Sequence, residues 1–364
     1  MNSFKLLSST KNCIILNKAF YHSPKLFHFI LNHCTTLTEI KNIIPQLKAQ
    51  FKLRKTDHLS DLNTICTQQE ETFLKNNNIN ILTLNNDHYS DLLSEITFPP
   101  PVLFYKGNIN CLNLPSIAIV GPRKPSSYAK QVTEHFTSKL TQHFCIISGF
   151  ASGIDTIAHQ TCVNQNKPTI AVMGVGLDTF YPNHNTKLGH DILAKNGLLL
   201  SEIPLFKRPE KYHFPLRNQT ISGLARGVLV TEANEKSGSL ITAYAAIDQN
   251  RDVFAVPGNI LTKTACGTNN LIKQGAKCTT TLTDILEEFA LTELAPSTNK
   301  QQLNTQNLSQ NEQTILNICS HPQDIETIIK KTNLQTQEVL HCLTLLEINN
   351  YIKKTGSSTY VHQQ

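Results

Sequence analysis

Arg123 is the residue whose type and setting most clearly point to chemistry. It stands in the turn Gly121-Pro122-Arg123-Lys124-Pro125-Ser126, between the apolar run Ile117–Val120 and a helix-like pattern from about Ser127. A guanidinium there carries a planar fork that matches two phosphate oxygens. A strand, a tight turn and a helix start also aim backbone N–H groups and the positive end of a helix dipole at one spot. Glycine-bearing loops follow later apolar runs: Gly149 to Gly153 with Asp155 behind them, Gly174-Val175-Gly176, Ser237-Gly238-Ser239, and Pro257-Gly258-Asn259. Small residues let backbone approach a ligand. One such turn is weak; several at strand ends converge on an anionic ligand that carries phosphates.

Ordinary nucleotide sites do not fit. The first turn reads GPRKPS and not G-x-G-x-x-G, Pro122 removes an N–H, and no Walker lysine frame occurs. No catalytic constellation stands out either. His159 with Asp155 one turn earlier reads as a satisfied core hydrogen bond, Asp178 as a loop cap, and Ser237 and Ser239 as helix caps with no base to activate them. The stretch FKRPEKYHFPLR interleaves Lys207, Arg208, Lys211 and Arg217 with Phe206, Tyr212 and Phe214. That mixture suits single-stranded nucleic acid, and it also suits a solvated charged loop with one anchoring aromatic.

The elements that position these residues follow from the apolar patterning. Short apolar runs at Ile117–Val120, Cys145–Ser148, Thr169–Met173, Leu198–Ser201, Val228–Thr231 and Val253–Val256 alternate with helical patterns. This predicts an α/β fold with a Rossmann-like, doubly wound parallel sheet whose ligands gather at the strand C-termini. The expected organisation is a helical N-terminal domain over 1–75, the sheet domain over 76–290, a Thr/Asn/Gln/Ser-rich linker over 291–311, and a winged helix over 312–364. A basic cluster at Lys48, Lys52, Arg54 and Lys55 reads as a solvated helix face. The candidate recognition helix, from Gln335 to Ile348, carries Glu338 and Glu347 but no Arg or Lys, which favours a dock over major-groove reading.

Composition limits the classes. The chain has 364 residues, 40% hydrophobic and 16% charged, with a formal net charge of +6. A large core is possible, and the mild basic excess is compatible with nucleic acid. Ten cysteines are scattered without CxxC pairs, as expected for a reducing cytoplasm with no disulfide frame and no metal site. No apolar run reaches transmembrane length, and the N-terminus lacks signal-peptide order.

Over about 170 central residues, the motifs IAIVGPR (Ile117–Arg123), SGFASGIDTIAH (Ser148–His159), AVMGVGLDTFYPNHN (Ala171–Asn185) and SEIP (Ser201–Pro204) resemble the DNA-processing protein A family, DprA or Smf. So do FPLRN (Phe214–Asn218), LVTEANEKSGSLITA (Leu229–Ala243), FAVPGN (Phe254–Asn259) and GTNNLIKQGA (Gly267–Ala276). The resemblance implies a homodimer that binds single-stranded DNA without a cofactor and loads the RecA recombinase onto it, protecting and processing incoming DNA in natural transformation and recombination. It implies that Arg123 grips phosphate, beside small loop positions Gly149, Gly153, Gly174 and Gly176, with Lys187 near a second basic contact and Arg217-Asn218 as the FPxRN pair. With the turn residues Gly121, Ser126, Ser237, Gly238 and Ser239, these form the expected DNA-binding set. Pro122 replaces the usual Ser or Thr, and Gln219 stands where many members carry a second arginine. The alternatives are a nucleotide-hydrolysing enzyme with a Rossmann-like core, for which GVGLD lacks the PGGxGT…E pattern, and a winged-helix transcription regulator.

Overall fold

The computed structural model describes residues 5–43, 62, 65, 67–290, 309–319, 323–332, 334–348, 351–354 and 359–362. The basic cluster at Lys48 to Lys55 and positions 291–308 of the expected linker lie outside them. The chain divides into two compact units, Met1–Phe289 and Ala290–Gln364.

The first unit is built on one nine-stranded sheet. Its chain order begins with helices α1 (Thr10–Phe20), α2 (Pro24–His33) and α3 (Gln68–Asn76), then β1 (Asn80–Thr83), α4 (Asp91–Ser94) and β2 (Val102–Gly107). The doubly wound part runs β3 (Ser116–Val120), α5 (Ser127–Leu140), β4 (Cys145–Ser148), α6 (Ile154–Asn164), β5 (Thr169–Val172), α7 (Thr186–Ala194) and β6 (Leu198–Ser201). It continues through α8 (His213–Leu224), β7 (Gly227–Val230), α9 (Gly238–Asp248), β8 (Asp252–Ala255), α10 (Cys266–Lys273), β9 (Lys277–Cys278) and α11 (Leu282–Glu288). The sheet order is β1-β2-β6-β5-β4-β3-β7-β8-β9. β3 to β9 pair in parallel, while β1 and β2 are antiparallel additions at the β6 edge. Every residue of β3 to β7 is buried, which is why they read as continuous apolar runs: helices cover both faces.

Strand order reverses at β3, which lies between β4 and β7. The loops leaving β3, β4 and β7 therefore open a crevice at the strand C-termini. Ser126 starts α5 by accepting the Ala129 N–H at 3.1 Å, and Ser237 starts α9 by accepting the Ser239 N–H.

The N-terminal helices, expected as a separate domain over 1–75, lie within the first unit. Phe20, Phe27 and Ile30 share a core with Val102 and Phe104 of β2 and with Leu205 after β6. Asn17 seals the junction by donating to the Glu202 carbonyl at 2.9 Å.

The second unit runs α12 (Gln310–Ile318), β10 (Gln323–Asp324), α13 (Ile325–Thr332), α14 (Thr336–Ile348), β11 (Ile352–Lys354) and β12 (Thr359–His362), with sheet order β10-β12-β11. Where a winged helix was expected over 312–364, the described residues give three helices and a three-stranded antiparallel sheet. A two-residue strand such as β10 is too short to show an alternating pattern.

Candidate nucleic-acid interface

At the switch point a groove of about 570 Å³ opens between the turn after β3, the start of α8 and the start of α9. Arg123 is exposed on its rim, and its guanidinium carbon lies 5.1 Å from the centre of the Phe214 ring. The Tyr181 ring follows, 6.0 Å from Phe214, and is 43% exposed. Among the described residues no carboxylate pairs with Arg123. A cation held over one ring and next to a second offers phosphate and base faces a matching surface. Lys211 lines the same groove. The α9 N-terminus is open at Gly238, where a Cβ would meet nothing within 4 Å.

The floor beneath has the opposite character. Arg217, expected in the DNA-binding set, is only 5% exposed. Its guanidinium donates to the carbonyls of Gly149 and, at 2.8 Å, Val172, and to Asn218 Oδ1 at 3.1 Å. Those bonds tie the C-terminal ends of β4 and β5 to α8. The fork is thereby turned inward and acts as a brace. Asp155 lies alongside and accepts the Ala151 N–H at 3.2 Å. Burial pushes the Asp155 carboxyl above the usual carboxylate range, with Arg217 opposing that shift. Glu202, also buried, is raised to about 7 although it accepts the Thr220 hydroxyl at 2.9 Å. His159 does not bond Asp155 as read from sequence: its Nδ1 lies 2.8 Å from Thr169 Oγ1, and burial lowers it to about 3. Asp155 is turned toward Arg217 instead.

The remaining predicted residues scatter around this groove. Gly121 lines it with Ser237 and Ser239, whose hydroxyls are 2.7 Å apart. Asn218 lines it too and reaches the Gly238 carbonyl at 3.5 Å. Gly153 does not line the groove. Its φ of +85° requires glycine, and a Cβ would strike the carbonyls of Pro122 and Arg123, so it backs the Arg123 turn. A Cβ on Gly149 would collide with the Arg217 guanidinium, one on Gly174 would come 2.9 Å from the Phe214 ring, and one on Gly176 would meet Asp178 and Pro204. These three glycines were read as room for a ligand; the structure uses them for close packing of protein on protein. Lys187 is exposed at the start of α7 and is not among the groove-lining residues. Ser126 faces a different cavity, across the β3–α5 turn. Asp178 is the loop cap expected, accepting the Phe206 N–H at 2.9 Å.

Three rim residues were absent from the expected set. Lys211 and Phe214 carried a signal in the interleaved FKRPEKYHFPLR stretch. Tyr181 lay within the Ala171–Asn185 motif but was given no role there; it reaches the rim from the loop between β5 and α7. Among the described residues no three His, Cys, Asp or Glu side chains gather as metal ligands. No helix there is long and apolar enough to cross a membrane.

Comparison with known proteins agrees with this architecture. Residues 80–290 match the family model of DNA recombination-mediator protein A. DNA processing protein DprA of Streptococcus pneumoniae is 46% identical over 204 residues, covering 56% of this chain and 72% of that protein. Its Bacillus subtilis counterpart is 45% identical over 213 residues, 58% of this chain and 71% of that one. The X-ray structure of the S. pneumoniae protein superposes with a TM-score of 0.65 at 34% identity, covering 77% of this chain and 98% of that one. A Helicobacter pylori DNA processing protein A structure, described for its single-stranded DNA binding mode, gives 0.52 at 30% identity, covering 58% and 95%. With the matched segment spanning more than half of its length, this chain belongs to the DNA recombination-mediator protein A family.

Proposed function

We propose that this protein binds single-stranded DNA along the switch-point groove and, as a homodimer, loads the RecA recombinase onto it during recombination or natural transformation. The observation that carries the binding step is the exposed Arg123 stacked on Phe214, with Tyr181 beyond it and the open α9 N-terminus opposite. Single strands expose bases that can stack on rings, while their phosphates take the cation and the helix N–H groups. The H. pylori relative, whose structure concerns single-stranded DNA binding, supports the same ligand class. Holding a strand needs positioned donors and rings and no catalytic group, in keeping with a binding protein and not an enzyme.

The second unit is given no share of this binding. Deleting residues 300–364 is expected to leave most of the single-strand affinity in place. A large loss, measured by anisotropy with a labelled oligonucleotide, would move the site to that unit. Release of free base from a nucleotide would favour a hydrolase, and a sequence-selective duplex footprint would favour a transcription regulator. RecA filament assembly on a single strand, with and without the protein, tests the loading step: faster assembly is expected, and an unchanged rate refutes it.

A further inference from the structure

We propose that a second cavity, across the Arg123 turn from the groove, receives a guanine base of the bound strand; this rests on the single-strand reading above. The cavity, of about 590 Å³, lies between the β3–α5 turn, the β7–α9 turn and the loop after β8. That volume is within the usual range for a small-molecule site. No Lys or Arg lines it, and its one acidic lining residue is Glu232, 5% exposed. One carboxylate oxygen of Glu232 accepts the Ser126 N–H at 3.0 Å. Ser126 is the one hydrogen-bond donor to this carboxylate among the described residues, and Glu232 lines the cavity.

An accessible carboxylate oxygen on a largely buried side chain presents the cavity with a charged acceptor for a ligand N–H. Phosphate is excluded by like charge. The matching ligand offers N–H groups on a flat body, since Val256, Pro257 and the Tyr128 ring make up apolar wall. Guanine does both: N1–H and the N2 amino group form a parallel donor pair comparable to a guanidinium fork. Thymine has no amino group to offer. Asn259, whose Oδ1 is held by the Leu261 N–H at 2.9 Å, leaves its amide donors for an acceptor such as guanine O6. In the same loop Ile260 and Leu261 are 84% and 87% exposed, apolar surface beside the mouth for a neighbouring base.

Geometry connects the two sites. Arg123 and Ser126 are three residues apart in one turn, so their Cα atoms are at most about 11 Å apart, about three stacked nucleotides. A strand with a phosphate on Arg123 can therefore turn a nearby base into the cavity, to be read on its Watson–Crick edge.

The test compares a thymine strand, the same strand carrying isolated guanines, and one with inosine in their place, by anisotropy with the full chain. Guanine is expected to tighten binding about tenfold over thymine, with inosine between them. Glu232→Gln retains an acceptor for Ser126 and should abolish the guanine advantage while leaving thymine binding unchanged. Thr262→Phe, an exposed position at the mouth, should do the same by occlusion if Glu232→Gln does not fold. Equal binding of all three strands, or an advantage that survives both variants, overturns the pocket and leaves the Arg123 groove standing. If no strand binds at all, the groove reading falls instead. Titration of free guanosine then decides the cavity alone: binding to wild type but not to Glu232→Gln upholds it, and no binding rejects it.

Discussion

The groove's rim and floor each carry an arginine, and the two do opposite work. Arg123 is exposed, unpaired by any described carboxylate, and stacked on a ring. Arg217 is buried, committed to two carbonyls and a neighbouring amide, and set beside Asp155. Exposure leaves the first fork free for a ligand at little cost to the fold. Burial makes the second part of the fold, because an unsatisfied buried guanidinium would be expensive. The residue type is shared; the surroundings assign the job.

Substitutions that separate stability from binding should sharpen this contrast. The largest effect is expected at the floor. Arg217→Ala removes the buried cation beside Asp155 and the donors to the Gly149 and Val172 carbonyls, which should destabilise the protein by about 3–5 kcal/mol in a denaturant melt. A loss below about 1 kcal/mol would show that the brace is dispensable. Next comes the rim. Arg123→Ala should weaken single-strand binding by ~1–3 kcal/mol and leave the melting midpoint within the range of an ordinary surface change. Tyr181→Ala should cost affinity at the low end of about 1–3 kcal/mol per stacked base, equally for different sequences. A sequence-dependent loss would mean that the ring reads base edges.

The floor should also show itself in pH dependence, with two opposed slopes. Glu202 is raised from 4.5 to about 7, so the native state holds a proton that the unfolded state releases, and its contribution to stability is lost as pH rises through that window. His159 is lowered from 6.5 to about 3, so the unfolded state holds the extra proton, and its contribution is lost as pH falls through that window. Glu202→Gln removes the first slope. Its melting temperature should climb more steeply with pH between 4.5 and 6.5 than that of the wild type. Parallel curves would place the titration elsewhere. The smallest effect is expected at Lys187, exposed on α7 and away from the groove lining. Lys187→Ala should barely move affinity, and a fall of about one in the salt slope would instead give it a phosphate contact.

Much of the scaffold was legible. Cys145–Ser148 and Leu198–Ser201 end where their apolar runs end, because fully covered parallel strands leave an unbroken apolar trace. Arg123 was legible for the same local reason: strand, turn and helix start are all written within about a dozen residues. The direction of Arg217 was not, since the FPLRN motif carries the residue but not the packing of α8 against the ends of β4 and β5. The glycines misled in the same way. Gly149 and Gly174 are small to admit Arg217 and Phe214, side chains more than 35 residues away along the chain. Tyr181 and the open oxygen of Glu232 depend likewise on loops brought together only by the sheet order.

The central claim is that the exposed rim, and not the fold at large, holds a single strand. Its most direct test is fluorescence anisotropy of a labelled oligonucleotide, single-stranded against duplex, across a salt series, for wild type and Arg123→Ala. The account predicts a strong preference for the single strand, affinity that falls as salt rises, and a folded variant that binds more weakly with a shallower salt slope. Equal binding of single strand and duplex, or an Arg123→Ala variant that binds as the wild type does, would contradict it.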